Sequence, residues 1–173
     1  NESIDPYELV ANQNEKNVVR EIEPDVQIKA DESKIRQLAT ILIDNAIKYC
    51  DKGGTIRVSL SRIKSRSIEL RMSNDYADGE SIDCSRFFDR FYRADSARTQ
   101  KSGGYGIGLS AARAIAEAHR GSILAESREG RGTLLRVSLP CPRPEDLQHL
   151  CQPDTPYRAD GMDLALTELS VVL

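Results

Sequence analysis

The sequence predicts an α/β fold whose sheet is mostly antiparallel. Two short segments, residues 56–60 and 68–73, alternate strictly between apolar and polar side chains. That alternation is typical of strands with one face toward water, and sheets of this kind are usually antiparallel. Residues 31–50 instead repeat apolar side chains at helical spacing and predict a long helix that packs through Ile35, Leu38, Ala39, Leu42 and Ala46.

The segments before and within this helix predict its neighbours. Residues 4–16 predict a short first helix, and residues 17–22 and 26–30 predict strands. Asp31 is a good N-cap for the long helix, because its carboxylate can accept from a backbone N–H of the first turn. A second stripe along the same helix carries Gln37, Ile41, Asp44, Asn45 and Lys48.

The following residues predict the rest of the fold. Residues 61–67 form a polar connection suited to a hairpin between the two alternating strands. Residues 85–91 predict a short helical segment rich in aromatic side chains, and residues 107–120 an Ala-rich helix. Two last strands, 123–126 and 133–139, flank a glycine turn.

The composition changes after Pro140. Residues 141–160 contain four prolines and predict an extended linker. Residues 162–173 place Leu164, Leu166, Leu169 and Val172 so that they predict a terminal amphipathic helix. We therefore divide the chain into one domain, residues 1–140, and a C-terminal extension of unknown role, residues 141–173.

The overall composition excludes several classes of protein. A chain of 173 residues with a net charge of -3 and a pI near 5.5 suits one domain and is a poor footprint for nucleic-acid binding. No apolar run approaches the roughly 18–20 residues of a membrane span, so we expect a soluble, cytoplasmic chain. The four cysteines contain no CxxC pair, and we expect them to be reduced thiols.

The first candidate for chemistry is the polar stripe of the long helix. Asn45 offers a neutral oxygen ligand to a hard cation, and Lys48, one turn further, is placed to meet phosphate oxygens. Asp44 belongs to the same stripe. The alternative interpretation of this stripe is a solvated helix face.

The second candidate is the glycine-rich segment 103–110, which reads Gly-Gly-Tyr-Gly-Ile-Gly-Leu-Ser and opens a helix. Glycines let backbone N–H groups approach phosphate, and a helix N-terminus favours anions. A dinucleotide-binding fold would need a buried strand before the glycines, and a P-loop would need Gly-Lys-Ser/Thr after them. Both signatures are absent from the sequence.

Two further segments complete the set. All three phenylalanines lie within residues 87–91, where Phe88 and Phe91 are expected to plug the core. The same segment would then anchor a loop whose basic residues turn toward phosphate, namely Arg93, Arg98 and Lys101. The strand ending at Asn74 and Asp75 places polar side chains where they can contact a base edge, or simply form a turn.

In this order the four features resemble the ATP-binding catalytic domain of sensor histidine kinases, which share a superfamily with gyrase and MutL. Residues 37–50 resemble the family's N box, and residues 88–98 its F box and the start of its ATP lid. Residues 103–110 resemble its second glycine box, and residues 130–133 its final glycine turn. The resemblance covers roughly residues 17–140.

The resemblance implies a two-layer α/β sandwich: a mixed, mostly antiparallel sheet with helices on one face and ATP between the helices and the lid. It implies Asn45 as the Mg²⁺ ligand and Arg93 as the group that neutralises the γ-phosphate. It also implies phosphate and nucleotide contacts by Asp44, Lys48, Tyr49, Tyr92, Arg98, Lys101, Gly104, Tyr105, Gly106, Ile107, Gly108, Leu109 and Thr133.

Three departures from the family pattern affect the site. The first glycine box normally begins with an Asp that accepts from the adenine amino group; alignment without a gap places Asn74 there, and a one-residue deletion places Asp75 there. We prefer Asn74, because its side-chain carbonyl accepts the same hydrogen bond. Ile41 occupies a position that is often Asn, and the segment before Asn17 is shorter than usual.

The family's phosphoacceptor motif is missing, since neither His119 nor His149 has the required neighbours. The resemblance therefore implies partners outside this chain: a dimerisation domain with the acceptor histidine, and a response regulator. It implies a full-length protein that is membrane-anchored and homodimeric, with this domain in the cytoplasm. Two alternatives stay open, a non-catalytic ATP-sensing or partner-docking module and a serine kinase of the anti-sigma type.

Overall fold

A long helix lying across a five-stranded sheet organises the structure, a computed structural model. It describes residues 6–64, 66–77, 83–92, 106–128, 132–142, 157–159 and 162–168. The helices are α1 (Pro6–Gln13), α2 (Glu32–Tyr49) and α3 (Gly108–Ala118), with a short 3₁₀ helix at Cys84–Arg86. The strands are β1 (Asn17–Ile22), β2 (Gln27–Ala30), β3 (Thr55–Lys64), β4 (Ser67–Asn74), β5 (Ser122–Arg128), β6 (Gly132–Pro140), β7 (Tyr157–Ala159) and β8 (Met162–Glu168).

The main sheet has the strand order β1-β3-β4-β6-β5. Only the β1–β3 pair is parallel among its described strands, so the predicted, mostly antiparallel sheet is confirmed. The polar connection predicted over residues 61–67 is mostly wrong, because β3 continues to Lys64 and Ser61 pairs with Glu69. Cross-strand hydrogen bonds therefore extend into this polar segment and shorten the turn.

One face of the main sheet carries the core. The five apolar residues predicted on the long helix are all buried, at 3% exposure or less. They pack in one cluster with Ile56, Val58 and Leu60 of β3 and with Ile68, Leu70 and Met72 of β4. Ala112, Ile115 and Ala116 of α3 join the same cluster, so both long helices cover the same face. This is the two-layer architecture that the family resemblance implies.

The N-terminus of α2 is capped twice. The Asp31 carboxylate accepts from the Lys34 N–H at 3.1 Å and from the Ser33 hydroxyl at 2.7 Å. The Asp31 N–H donates to Nε2 of His119 at 3.2 Å, and Nδ1 of this buried histidine lies 2.8 Å from the Ile115 carbonyl. His119 is thus a neutral Nδ1–H tautomer that joins the end of α3 to the start of α2.

The C-terminus of α2 carries a compensating positive charge. The Lys16 ammonium donates to the backbone carbonyls of Cys50 and Asp51. Because the last carbonyls of a helix have no partner within the helix and carry partial negative charge, a lysine there satisfies both requirements.

The described cysteines are dispersed. Cys50 and Cys141 are buried, Cys84 is half-buried, and no disulfide links the three within the described chain. Burial raises the pKa of each thiol, which keeps it protonated at neutral pH. Cys151 lies outside the described residues.

The terminal amphipathic helix predicted over residues 162–173 is wrong for residues 162–168, and residues 169–173 lie outside the described residues. Residues 162–168 form β8, which pairs antiparallel with β2 and places Ala165 opposite Ala30. Met162, Leu164 and Leu166 are two residues apart, which places them on one face of a strand and not on one face of a helix, and the edge of β2 offers such a strand a partner. The three residues of β7 lie within the predicted linker and pair with β8. No helix in the described ranges is long and apolar enough to cross a membrane.

Replacing Asp31 with Ala removes the cap of α2, and we expect a loss of about 1 kcal/mol of unfolding free energy at pH 7. The Ser33 hydroxyl, and next the Lys34 N–H, hold the pKa of Asp31 below its ordinary value of 3.8. Because the folded-state pKa is lowered, the ionised Asp31 carboxylate stabilises the folded state above pH 3.8. This stabilisation is lost as the pH falls through the folded-state pKa. Urea unfolding should therefore show the difference between wild type and Asp31→Ala shrinking below pH 4.

Ser33→Ala serves as the graded control for this cap. It keeps the Lys34 N–H bond and should cost less than Asp31→Ala. An Asp31→Ala variant as stable as wild type at pH 7 would contradict the capping role.

Deleting residues 143–173 should lower stability by about 1–2 kcal/mol, because β2 loses its partner strand. Nucleotide affinity should stay within about tenfold, because β8 meets α2 near Asp31, about 20 Å along the helix from Asn45. Ala165→Pro, which removes a strand N–H, is the matched point variant. If calorimetric titration with ATP shows that the deletion lowers affinity by more than about tenfold, the tail contributes to nucleotide binding.

Candidate functional site

The polar stripe of α2 runs beside the start of α3. Ile41, Asn45 and Tyr49 follow one another at four-residue spacing and therefore share a side of the helix. A Cβ built on Gly108, the first residue of α3, would lie 3.5 Å from the Ile41 methyl Cγ2. The structure thus brings together the stripe and the glycine segment that the sequence identified separately.

The side chains of this stripe differ in exposure. Asn45, Lys48 and Tyr49 are half-buried, and Asp44 is exposed. The Lys48 ammonium lies 5.2 Å from the centre of the Tyr49 ring. Partial desolvation by the helix surface raises the pKa of Asp44 from its ordinary value. An amide oxygen and an ammonium one turn apart can hold a hard cation and an anionic group together.

The N-terminus of α3 is open to an anion. Its N-cap, Ile107, makes no side-chain hydrogen bond to the first turn and is itself exposed. Unlike Asp31 in α2, the N-cap residue here therefore gives no side-chain acceptor to the first N–H groups of the helix. Leu109 packs against the core, which holds this end of the helix in place. Backbone donors at such an end are suited to phosphate.

A backbone hydrogen bond joins the two ends of the loop between the aromatic segment and α3. The Phe91 N–H donates to the Gly106 carbonyl at 2.9 Å, and both residues are left-handed, with φ of 66° and 67°. A Cβ on Gly106 would lie 2.9 Å from the Phe91 backbone, so this position requires glycine. Five predicted site residues fall in this loop and lie outside the described residues: Arg93, Arg98, Lys101, Gly104 and Tyr105.

The predicted aromatic plug is half right. Phe88 packs against the core, with the Arg113 guanidinium 6.0 Å from its ring centre. Phe91 is 71% exposed, so its predicted burial is wrong. It occupies the left-handed turn that closes the loop, and there the backbone hydrogen bond decides its conformation. Tyr92 is half-buried, with the Arg86 guanidinium 4.7 Å from its ring centre.

Asn74 and Asp75 point to different sides of the sheet. Asn74 is 3% exposed and follows Met72 on the helix-covered face, and its Oδ1 accepts from the Thr133 hydroxyl at 2.8 Å. Asp75 accepts from the Thr55 N–H at 3.0 Å and from Arg57 at 2.8 Å. The Asp75 carboxylate is thus engaged by neighbouring groups at the end of the sheet. This favours the gap-free alignment, in which Asn74 and not Asp75 occupies the first position of the glycine box.

The glycine turn before Thr133 is packed against the same strand end. Gly132 has a φ of +81°, and a Cβ there would lie 2.1 Å from the Asn74 carbonyl oxygen. Only glycine fits both requirements. Ser127, opposite Thr133 on β5, adds a buried hydroxyl that sequence reasoning missed. Its only signal is the strand register, which a linear pattern does not contain.

The chain matches a family described as histidine kinase-, DNA gyrase B- and HSP90-like ATPase over residues 30–143. It is 36% identical over 138 residues to the sensor histidine kinase WalK of Bacillus subtilis, which covers 79% of this chain and 23% of WalK. It is 35% identical over 133 residues to the sensor protein CiaH of Streptococcus pneumoniae, covering 77% of this chain and 30% of CiaH. The chain therefore spans about a quarter of the length of these relatives.

Solved structures share the fold. The mycobacterial sensor histidine kinase MprB superposes with a TM-score of 0.64 at 21% identity, covering 79% of this chain and 89% of MprB. The catalytic domain of the histidine kinase ThkA gives a TM-score of 0.60 at 24% identity, covering 78% and 84%. The predicted two-layer sandwich is confirmed by these likenesses.

Gly132→Ala should cost clearly more stability than Gly53→Ala. Gly53 has a φ of +74° with nothing within 4 Å of an added Cβ, so Ala there meets only the backbone penalty of roughly 1–2 kcal/mol. Gly132 adds the collision with Asn74, which should also weaken nucleotide binding. Chemical unfolding and calorimetric titration of both variants would measure this. Equal losses in the two variants would contradict the packing role of Gly132.

Proposed function

The chain belongs to the histidine kinase-, DNA gyrase B- and HSP90-like ATPase family, and we propose that it is the ATP-binding catalytic domain of a two-component sensor histidine kinase. The family predicted from the four motifs is thereby confirmed. The observation that carries the proposal is that the Asn45 stripe, the start of α3 and the buried Asn74–Thr133 pair all lie on one side of the main sheet. The names of the curated relatives, sensor kinases, support the same reading.

The residues present fit Mg²⁺ and ATP. The Asn45 amide oxygen is a suitable ligand for Mg²⁺, which usually takes few protein ligands when phosphates supply the rest. The N–H groups at the start of α3 would receive phosphate oxygens, and Lys48 would balance their charge. Bound Mg²⁺ would neutralise charge on the phosphates during transfer. Asn74 and Thr133 lie at the strand end and would contact the base.

Phosphoryl transfer depends mostly on positioning and charge neutralisation. In this chain the positioning would come from α2 and α3, whose ends are held together by His119 and Asp31. The γ-phosphate would pass to a histidine of the kinase's dimerisation domain. Arg93, at the start of the loop, is the proposed source of positive charge near the γ-phosphate.

The acceptor histidine is proposed to lie outside this domain. His119 is 7% exposed and both of its ring nitrogens are engaged, with the Asp31 N–H and the Ile115 carbonyl. Such a histidine cannot present a nucleophilic nitrogen to ATP. The proposed partners are therefore the dimerisation domain of the same kinase and a response regulator. The full-length protein is proposed to be a membrane-anchored homodimer with this domain in the cytoplasm.

Asn45→Ala should lower Mg-ATP affinity by about tenfold or more, because the amide oxygen is the proposed metal ligand. Without Mg²⁺, in the presence of a chelator, wild type and variant should bind ATP equally. Arg36→Ala, at an exposed position nine residues earlier and so on the opposite side of the same helix, is the matched control and should bind as wild type. Unchanged Mg-ATP affinity in Asn45→Ala would refute the site.

The type of transfer is tested by mixing the chain with a histidine kinase dimerisation domain and radiolabelled ATP. Acid-labile phosphohistidine on that domain is the expected product. Acid-stable phosphoserine on a protein substrate would instead indicate a serine kinase of the anti-sigma type. Nucleotide binding without any transfer, over several domain pairings, would favour the non-catalytic module.

A further inference from the structure

Three polar residues form one row across the main sheet. Asn74 of β4 lies opposite Thr133 of β6, which lies opposite Ser127 of β5. Directly opposed residues share a face of a sheet, and this face is the one that α2 and α3 cover. The same row continues to Ile56 of β3, which is buried in the core. The polar row thus lies between the sheet and the helices, at the end of the strands.

Two polar atoms of this row are buried and unpaired. Within the described residues, neither the Asn74 Nδ2 nor the Ser127 Oγ has a hydrogen-bond partner, although both are shielded from water. Buried polar groups are nearly always paired, because an unpaired group loses its hydration without compensation. Two such atoms in one row, on the helix-covered face of the sheet, indicate a ligand with polar edges.

We propose that the row Asn74–Thr133–Ser127 reads the base of the nucleotide and accepts purines with either an amino or a carbonyl group at position 6. This inference rests on the proposed nucleotide-binding function. It goes beyond that function because it assigns a base preference that an aspartate at position 74 would not give. An amide can both donate and accept a hydrogen bond, whereas an ionised carboxylate can only accept.

The Asn74 amide can satisfy both kinds of base. In the orientation found, Oδ1 accepts from Thr133, and Nδ2 remains to donate to a 6-carbonyl oxygen. After a half-turn of the amide, Nδ2 donates to the Thr133 hydroxyl, and Oδ1 accepts from a 6-amino group. The Thr133 hydroxyl permits both states because it donates and accepts.

The Ser127 hydroxyl can also form a hydrogen bond with either kind of purine. The ring nitrogen next to position 6 accepts in adenine and donates in hypoxanthine, and the Ser127 hydroxyl can pair with either by rotating. An ionised carboxylate at position 74 would only accept. It would favour the amino group and repel the carbonyl oxygen, so Asn74 in its place should relax the choice of purine.

Calorimetric titration of the full chain with Mg-ATP and Mg-ITP tests this inference, because adenine and hypoxanthine differ at position 6 and its neighbouring nitrogen. Wild type should prefer ATP by less than about tenfold. Asn74→Asp should raise the preference for ATP at least about tenfold above the wild-type value. Ser73→Asp places the same charge one residue earlier, on the opposite face, and should leave the wild-type ratio unchanged.

A wild-type preference for ATP of tenfold or more would overturn the inference while leaving the proposed function standing. The inference is also overturned if Asn74→Asp is folded, as judged by circular dichroism, and keeps the wild-type ratio of ATP to ITP affinity. If Asn74→Asp does not fold, the wild-type ratio alone decides. Failure of wild type to bind either nucleotide would refute the proposed function, and the base preference with it.

Discussion

The burial of one stripe of α2 against the sheet determines where the candidate site lies. Leu38, Leu42 and Ala46 face the sheet and are almost fully buried, so the rotation of the helix about its axis is set. Once that rotation is set, Asn45 cannot point into the core or directly away from it. It must lie on the flank that faces the start of α3. The polar chemistry of the site is therefore a consequence of apolar packing.

The two ends of α2 are held by different means. At the start, a carboxylate and a neutral histidine satisfy the backbone groups, and at the end a lysine from before β1 does so. α3 has no such cap at its start. An anion is thus favoured at the start of α3, where the N-cap residue gives the first turn no side-chain partner, and this start lies next to Ile41.

Much of this arrangement is readable from the sequence, because it is local. The cap at Asp31, the buried stripe of α2 and the strands β3 to β6 follow from spacing over a few residues. The bond between Asn74 and Thr133 does not, since these residues are 59 positions apart and meet only through the register of β4 and β6. Ser127 was missed for the same reason. The exposure of Phe91 was not predicted, because its backbone hydrogen bond to Gly106 outweighs the apolar character of its side chain. Strand β8 was not predicted, because pairing with the open edge of β2 outweighs the apolar pattern of the tail.

The bond between Phe91 and Gly106 has a thermodynamic consequence for the segment that it closes. Fourteen residues lie between these two, and the entropy cost of bringing such ends together grows only with the logarithm of the segment's length. Doubling the number of intervening residues would add only about 0.6 kcal/mol. The closing contact uses backbone atoms alone, so it does not depend on what the segment contains. The length and composition of this segment can therefore change at little cost to the domain that supports it.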